Sequence, residues 1–198
     1  SYCDGVQRDA SGQLASVASS GLNVAEFRNR GVDWRVSYGF SAPALLESGD
    51  ADILLSVLGG YLIEQSDTRS LERVDRAGEL RRDNAGLPKL RWNANLSYVT
   101  NHVGLSAQAR YIGSGKYDNT YDAEDIEDNS ISAEWYLDLS ARVPVQVGAG
   151  TLELFAGVNN VLDNDPAIVP YEFAISALAT NPGLYDTIGR YFYGGVRF

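Results

Sequence analysis

Apolar and polar residues alternate one by one over most of the chain, the period-two mark of strands with two unlike faces. In residues 134–143, Trp135, Leu137, Leu139, Ala141 and Val143 oppose Tyr136, Asp138, Ser140 and Arg142. Residues 89–100 set Leu90, Trp92, Ala94, Leu96 and Tyr98 against Arg91, Asn93, Asn95 and Ser97. Residues 103–113 set Val103, Leu105, Ala107, Ala109 and Tyr111 against Gly104, Ser106, Gln108 and Arg110. Residues 151–162 and 32–40 repeat the pattern, and 52–65 keeps Ile53, Leu55, Val57, Tyr61 and Ile63 on one side. With 13–18 and 188–198 added, the chain holds about eight strands.

Several of these run to ten residues or more, longer than the usual ~5–6 of globular sheets. About ten residues is what a tilted strand needs to cross the hydrocarbon of a bilayer. The links at 41–50, 101–102 and 144–150 are short, whereas 66–88, 114–133 and 163–187 are long. Short and long alternate strictly, which in an up-and-down sheet puts every long loop at one end. Outer-membrane barrels have that asymmetry, and loops so long are uncommon in compact domains. The expected fold is all-β: an antiparallel up-and-down transmembrane β-barrel.

Aromatic residues fall on the apolar faces near strand ends. Trp34, Tyr38 and Phe40 precede one short turn and Tyr98 another, while Trp92, Trp135 and Tyr111 lie towards the long-loop ends. Two rings of membrane-interface aromatics are the expected result.

Composition narrows the functional classes. Asp and Glu number 26 against 16 Lys and Arg, a formal net charge of −10. That balance argues against a nucleic-acid partner, which needs a basic face. No run of about 18 apolar residues exists, so a spanning helix is not expected. No leader sequence is visible, so an export signal is expected upstream or removed. The single Cys3 is either a free thiol or half of a disulfide with a residue upstream of Ser1.

No catalytic constellation, phosphate loop or cysteine metal cluster is present, so no enzyme activity and no catalytic residues are expected. His102, the only histidine, falls in a short turn and reads as structural. The acidic stretch 117–130 carries Asp118, Asp122, Glu124, Asp125, Glu127 and Asp128. It reads as a solvated loop, or as a site for Ca²⁺, whose preference for hard oxygen ligands suits carboxylates. No other metal or cofactor is indicated. The stretch 66–88 balances Arg69, Arg73, Arg76, Arg81 and Arg82 against Asp67, Glu72, Asp75, Glu79 and Asp83, and reads as solvated ion pairs. On the polar faces, Arg91, Asn93, Arg110, Tyr136 and Asp138 lie towards the long-loop ends, where a ligand or a plug inside a barrel would meet them.

The last strand carries Phe192, Val196 and Phe198 on one face, and its terminal Phe198 resembles the recognition signal of the outer-membrane assembly machinery. The stretch Phe155-Ala-Gly-Val-Asn-Asn-Val-Leu-Asp-Asn-Asp-Pro166, followed by Tyr185-Asp-Thr-Ile-Gly-Arg-Tyr-Phe-Tyr-Gly-Gly-Val-Arg-Phe198, resembles the carboxy-terminal signature of TonB-dependent outer-membrane receptors. Asn23 to Tyr38, with its Gly31-Val-Asp33, and Leu87-Pro-Lys-Leu-Arg-Trp92 resemble internal strands of that family. The resemblance covers residues 1–198 and implies about eight carboxy-terminal strands of a barrel of roughly 22. It further implies the rest of the barrel and its plug as partners, lipid around it, and coupling to TonB through a segment outside this chain. The implied function is active import of a scarce nutrient of the siderophore-iron, cobalamin or oligosaccharide class across a Gram-negative outer membrane. Two other readings stay open: a complete small outer-membrane barrel serving as passive pore or adhesin, and a soluble β-sandwich that binds carbohydrate.

Overall fold

The structure is a computed structural model that describes residues 6–18, 26–45, 47–69, 72–81, 86–169 and 179–198. Cys3 lies outside them, as do Asn23, Val24 and Ala25 of the family-like segment. The described chain is all-β and antiparallel. Strands β1 (Val6–Arg8) and β2 (Leu14–Val17) form a separate hairpin. Next come β3 (Phe27–Pro43), β4 (Asp50–Arg69), β5 (Glu72–Asp75), β6 (Leu90–Val99) and β7 (Gly104–Ile112). The chain continues with β8 (Gly115–Lys116), β9 (Ser130–Ile131), β10 (Glu134–Val147), β11 (Gly150–Asn159) and β12 (Tyr191–Arg197).

The main sheet runs β12-β11-β10-β7-β6-β4-β3, with β5 paired to β4 as its eighth strand. Neighbours in the sheet are neighbours in sequence once the small loop strands are set aside, so this is an up-and-down meander. It is open: β3 and β12 are its edges. Residues 44–49, 100–103 and 148–149 make the short turns at one end, and the long connections all emerge at the other.

The sheet departs from the sequence expectation in three places. Residues 13–18 were expected to supply a strand of the sheet, yet Leu14–Val17 pairs only with β1, and Glu72–Asp75 takes the eighth place instead. Strands β3 and β4 are longer than 32–40 and 52–65, because their pairing continues past a bulge at Arg30/Gly31 into charged sequence lacking an apolar face. Backbone ladders hold there without an alternating pattern to announce them. The expected loop 66–88 therefore begins as a β4–β5 hairpin.

Register assigns the faces directly, since cross-strand partners share a side. One row reads Tyr38, Leu55, Leu96, Ala107, Leu139, Val158 and Phe192. The next towards the short turns reads Phe40, Ile53, Tyr98, Leu105, Ala141, Ala156 and Gly194. Towards the long loops lie Val36, Val57, Ala94, Ala109 and Leu137, then Trp34, Gly59, Trp92, Tyr111 and Trp135. From the tryptophan row to the short turns, no paired residue on this face is charged, an amide or an aliphatic hydroxyl.

Among the described residues, no hydrophobic layer is sandwiched on that face. Leu139 is 39 % exposed, Leu154 43 % and Phe192 70 %. The buried core instead comprises Leu80, Ile112, Tyr117, Ile131, Tyr136, Ala167, Val169 and Tyr185. Only Ile112 and Tyr136 belong to the main sheet, and both sit on its polar face at the long-loop end; the other six come from the three long connections.

Candidate functional site

The polar face forms a second set of rows. Asp33, Gly60, Arg91, Ile112 and Glu134 lie nearest the long loops, followed by Arg35, Leu58, Asn93, Arg110 and Tyr136. Below these come Ser37, Ser56, Asn95, Gln108 and Asp138, then Gly39, Leu54, Ser97, Ser106, Ser140, Gly157 and Tyr193. The structure thus brings Asn93, Arg110 and Tyr136 together in one row, with Arg91 one row above and Asp138 one row below.

These five residues divide into two roles. Tyr136 is 1 % exposed, sealed beneath the loops, and the Arg110 guanidinium lies 4.8 Å from its ring centre. Asp138 Oδ1 accepts a 2.7 Å hydrogen bond from the Asn160 amide, which fixes the start of the 160–190 connection. Tyr136 and Asp138 therefore anchor the loops. Arg91 and Arg110 are exposed, Asn93 half-buried, and together they line the open wall.

Above the wall the long connections fold into one cap. The Leu80 amide donates to Lys116 O and the Lys116 amide to Gly78 O, both at 2.8 Å, so residues 78–80 lie alongside β8. Gly115 is required at this crossing: an ideal Cβ there would meet Leu80 Cγ at 2.8 Å and the Gly78 carbonyl closer still. From the third connection, Asn181 Nδ2 donates to Leu80 O at 3.2 Å. Asn119 Nδ2 donates to Asp75 O at 2.9 Å and to Ala77 O at 3.1 Å.

Four charges lock the first two connections together. Arg81 Nη1 donates to Asp118 Oδ2 at 2.6 Å, and Arg76 Nη1 to Glu79 Oε2 at 2.9 Å. Arg81 Nε lies 3.3 Å from Glu79 Oε1, and Arg76 Nη1 3.5 Å from Asp118 Oδ1. The Glu79 side chain is fully buried and that of Asp118 nearly so. Burial alone would raise the Asp118 carboxyl, but hydrogen bonds from the Thr120 hydroxyl and amide, with Arg81 and Arg76 beside it, hold it below the ordinary carboxylate value.

The carboxylates of the acidic stretch take up separate partners. Asp118 turns inward to the arginines. Asp122 and Asp125 brace a local turn: the Asp122 amide donates to Asp125 Oδ2 at 3.0 Å and the Glu124 amide to Asp122 Oδ1 at 2.8 Å. Asp128 Oδ1 accepts from the Ser130 amide and hydroxyl. Glu124 and Glu127 are exposed. Among the described residues, no three such ligands are grouped to hold a metal ion.

The aromatics of the apolar face also rearrange relative to expectation. Trp34 was placed with the short turns, but β3 continues to Pro43, which puts Trp34 in the long-loop row with Trp92, Tyr111 and Trp135. Its indole lies across Gly59, where an ideal Cβ would sit 2.5 Å from Cε2. Trp92 and Tyr111 stack at 5.4 Å and 14°. Tyr38 lies midway, tilted against Phe40 at 5.5 Å, while Tyr98 reaches the short-turn end, where its hydroxyl accepts from the Leu45 amide at 2.9 Å. There His102 Nδ1 pairs with the Glu47 carboxylate and ties two short turns together, a structural role. On β12, Phe192 and Val196 face Val158 and Leu154, and Phe198 follows the last paired residue.

The pairs from Arg76 and Arg81 to Asp118 and the Asn119 and Asn181 contacts escaped the sequence reading, because partners separated by 37 to 101 positions leave no local spacing signal. Comparison with protein-family models, curated proteins and solved structures finds no match.

Proposed function

We propose that this chain is the carboxy-terminal wall of a TonB-dependent outer-membrane receptor. In this reading it imports a scarce nutrient of the siderophore-iron, cobalamin or oligosaccharide class. The single observation that carries the reading is the apolar face, on which no paired residue from the tryptophan row to the short turns is charged, an amide or an aliphatic hydroxyl. Register places Phe198 ten residues below the tryptophan row. That distance is about 33 Å along a strand, or about 25 Å at the usual tilt, the height of the apolar band on an outer-membrane barrel. One-sided loops support the same reading. A soluble sheet with such a face needs a second layer over it, and no other described strand packs there.

In this reading the rest of the barrel completes the edges at β3 and β12, since open edges in lipid are prohibitive. Ligand arrives at the capped end and meets the wall around Arg91, Asn93 and Arg110. A plug outside this chain rearranges through TonB to let it pass. No covalent bond is made or broken.

The test is fractionation of cells expressing the full native polypeptide, combined with fluorescence in brominated lipid. The protein is expected in the alkali-washed outer-membrane pellet. Trp34, Trp92 and Trp135 are expected to be quenched more strongly by bromines near the headgroups than by bromines at chain ends. Recovery in the soluble fraction without detergent, unquenched, would overturn the reading.

A further inference from the structure

Arg142 stands on the polar face near the short turns, on β10 and opposite Gly104 of β7. Gly104 is buried, and an ideal Cβ there would meet Arg142 Nε at 2.5 Å, Cγ at 2.8 Å and Cδ at 3.2 Å. The stem of the arginine therefore crosses the neighbouring strand against its backbone, a path that a side chain at position 104 would block. Among the described residues Arg142 forms no ion pair. The carboxylates nearest along the sheet are committed elsewhere. Glu153 accepts from Arg197 at 2.8 Å, and Asp138, further up β10, accepts from the Asn160 amide at 2.7 Å.

One row above, about 7 Å along the strands, Ser97, Ser106 and Ser140 stand side by side on β6, β7 and β10. Ser106 Oγ and Ser140 Oγ are 2.6 Å apart. One of these hydroxyls donates to the other, which leaves one O–H of the pair to be given outward. The three serines line a hollow of about 360 Å³ together with Arg142 and Glu153. With Glu153 neutralised by Arg197, the hollow holds one uncompensated positive charge and hydroxyl donors beside it.

We propose that this hollow seats an oxyanion: a phosphate, sulfate or carboxylate group held by the Arg142 guanidinium and met from above by the serine hydroxyls. The planar fork of an arginine matches two oxygens of such a group, and a hydroxyl supplies a further contact. Support of the stem against Gly104 fixes the fork before the anion arrives, which lowers the ordering cost of binding. This seat is separate from the wall around Arg91, Asn93 and Arg110, and needs only that the polar face meets water. The oxyanion has two sources, a free ion from solution or a carboxylate from another segment of the native polypeptide.

The experiment is phenylglyoxal modification of the full native polypeptide, read at each arginine by peptide mass spectrometry. With a free ion as occupant, about 10 mM inorganic phosphate is expected to slow modification of Arg142 about tenfold relative to chloride of equal ionic strength, a Kd of ~1 mM. Arg8, on the β1–β2 hairpin, keeps its rate. With an intramolecular carboxylate, Arg142 reacts slowly without phosphate and speeds up in about 1 M NaCl, where screening weakens the pair. Gly104→Ala moves the guanidinium without removing it, and joint Ser106→Ala and Ser140→Ala remove the hydroxyl pair. Either change is expected to weaken the protection about tenfold. An unchanged rate at Arg35 on β3 reports an intact wall in both variants. Arg142 that reacts freely at low salt with phosphate present, or resists under every condition, overturns the proposal. So does protection that survives both variants. Bromine quenching of the tryptophans does not bear on these outcomes, so this site and the membrane reading fail separately.

Discussion

Leu139→Arg is expected to destabilise the folded protein in lipid vesicles by about 2–4 kcal/mol, a ~30- to 1000-fold loss in the folding equilibrium. The reason is position. Leu139 lies in the Tyr38–Phe192 row, near mid-height of a face that the proposed reading sets against hydrocarbon. A guanidinium there has no water and no described polar neighbour on its own face. Gln108→Arg, on the adjacent strand but the polar face, is expected to change stability by less than about 0.5 kcal/mol. Reversible denaturant titration of both variants, as the full native polypeptide, reads the difference. Equal effects would mean that the two faces do not meet different solvents.

Asp118→Ala is expected to be the most damaging change in the cap, about 1–3 kcal/mol, because it removes the carboxylate that both arginines share across the two connections in a poorly hydrated pocket. Hydrogen exchange at the Leu80 and Lys116 amides is the measurement, with amides of β6 and β7 as unaffected references. The pH dependence follows from the same carboxyl. Its folded value is depressed, so its contribution is complete above the unfolded value of about 3.9 and fades only as pH falls through the lower folded one. Cap amides are therefore expected to stay protected down to pH 4 and to lose protection below it. Asp118→Asn is expected to lack that titration. A wild-type cap that opens between pH 5 and 7 would contradict this assignment.

The strands were legible because one face is uniformly apolar, and period-two alternation is what such a face writes into sequence. Residues 89–100 and 103–113 agree with β6 and β7 to within a residue at each end. Legibility failed where that face ends. The continuation of β4 through Ser66, Asp67 and Thr68 is held by backbone pairing with β5 and by contacts such as Arg73 Nε to Ser66 Oγ, neither of which imposes a period. The site was legible in part. Parity alone put Arg91, Asn93 and Arg110 on the polar wall, but it could not tell that Tyr136 on the same face would be roofed over. Roofing depends on where three distant loops meet.

The two halves of this molecule have opposite assembly histories built into them. Each hairpin of the sheet closes through contacts between sequence neighbours, whereas the Asn181–Leu80 hydrogen bond joins residues 101 positions apart. Its segments become neighbours only after the intervening strands have zipped into place, because long-range contacts must wait until loop closure has been met by earlier pairings. The cap is thus expected to form last and to let go first. Its opening is expected to leave the wall beneath intact, a reversible local transition separate from the global one.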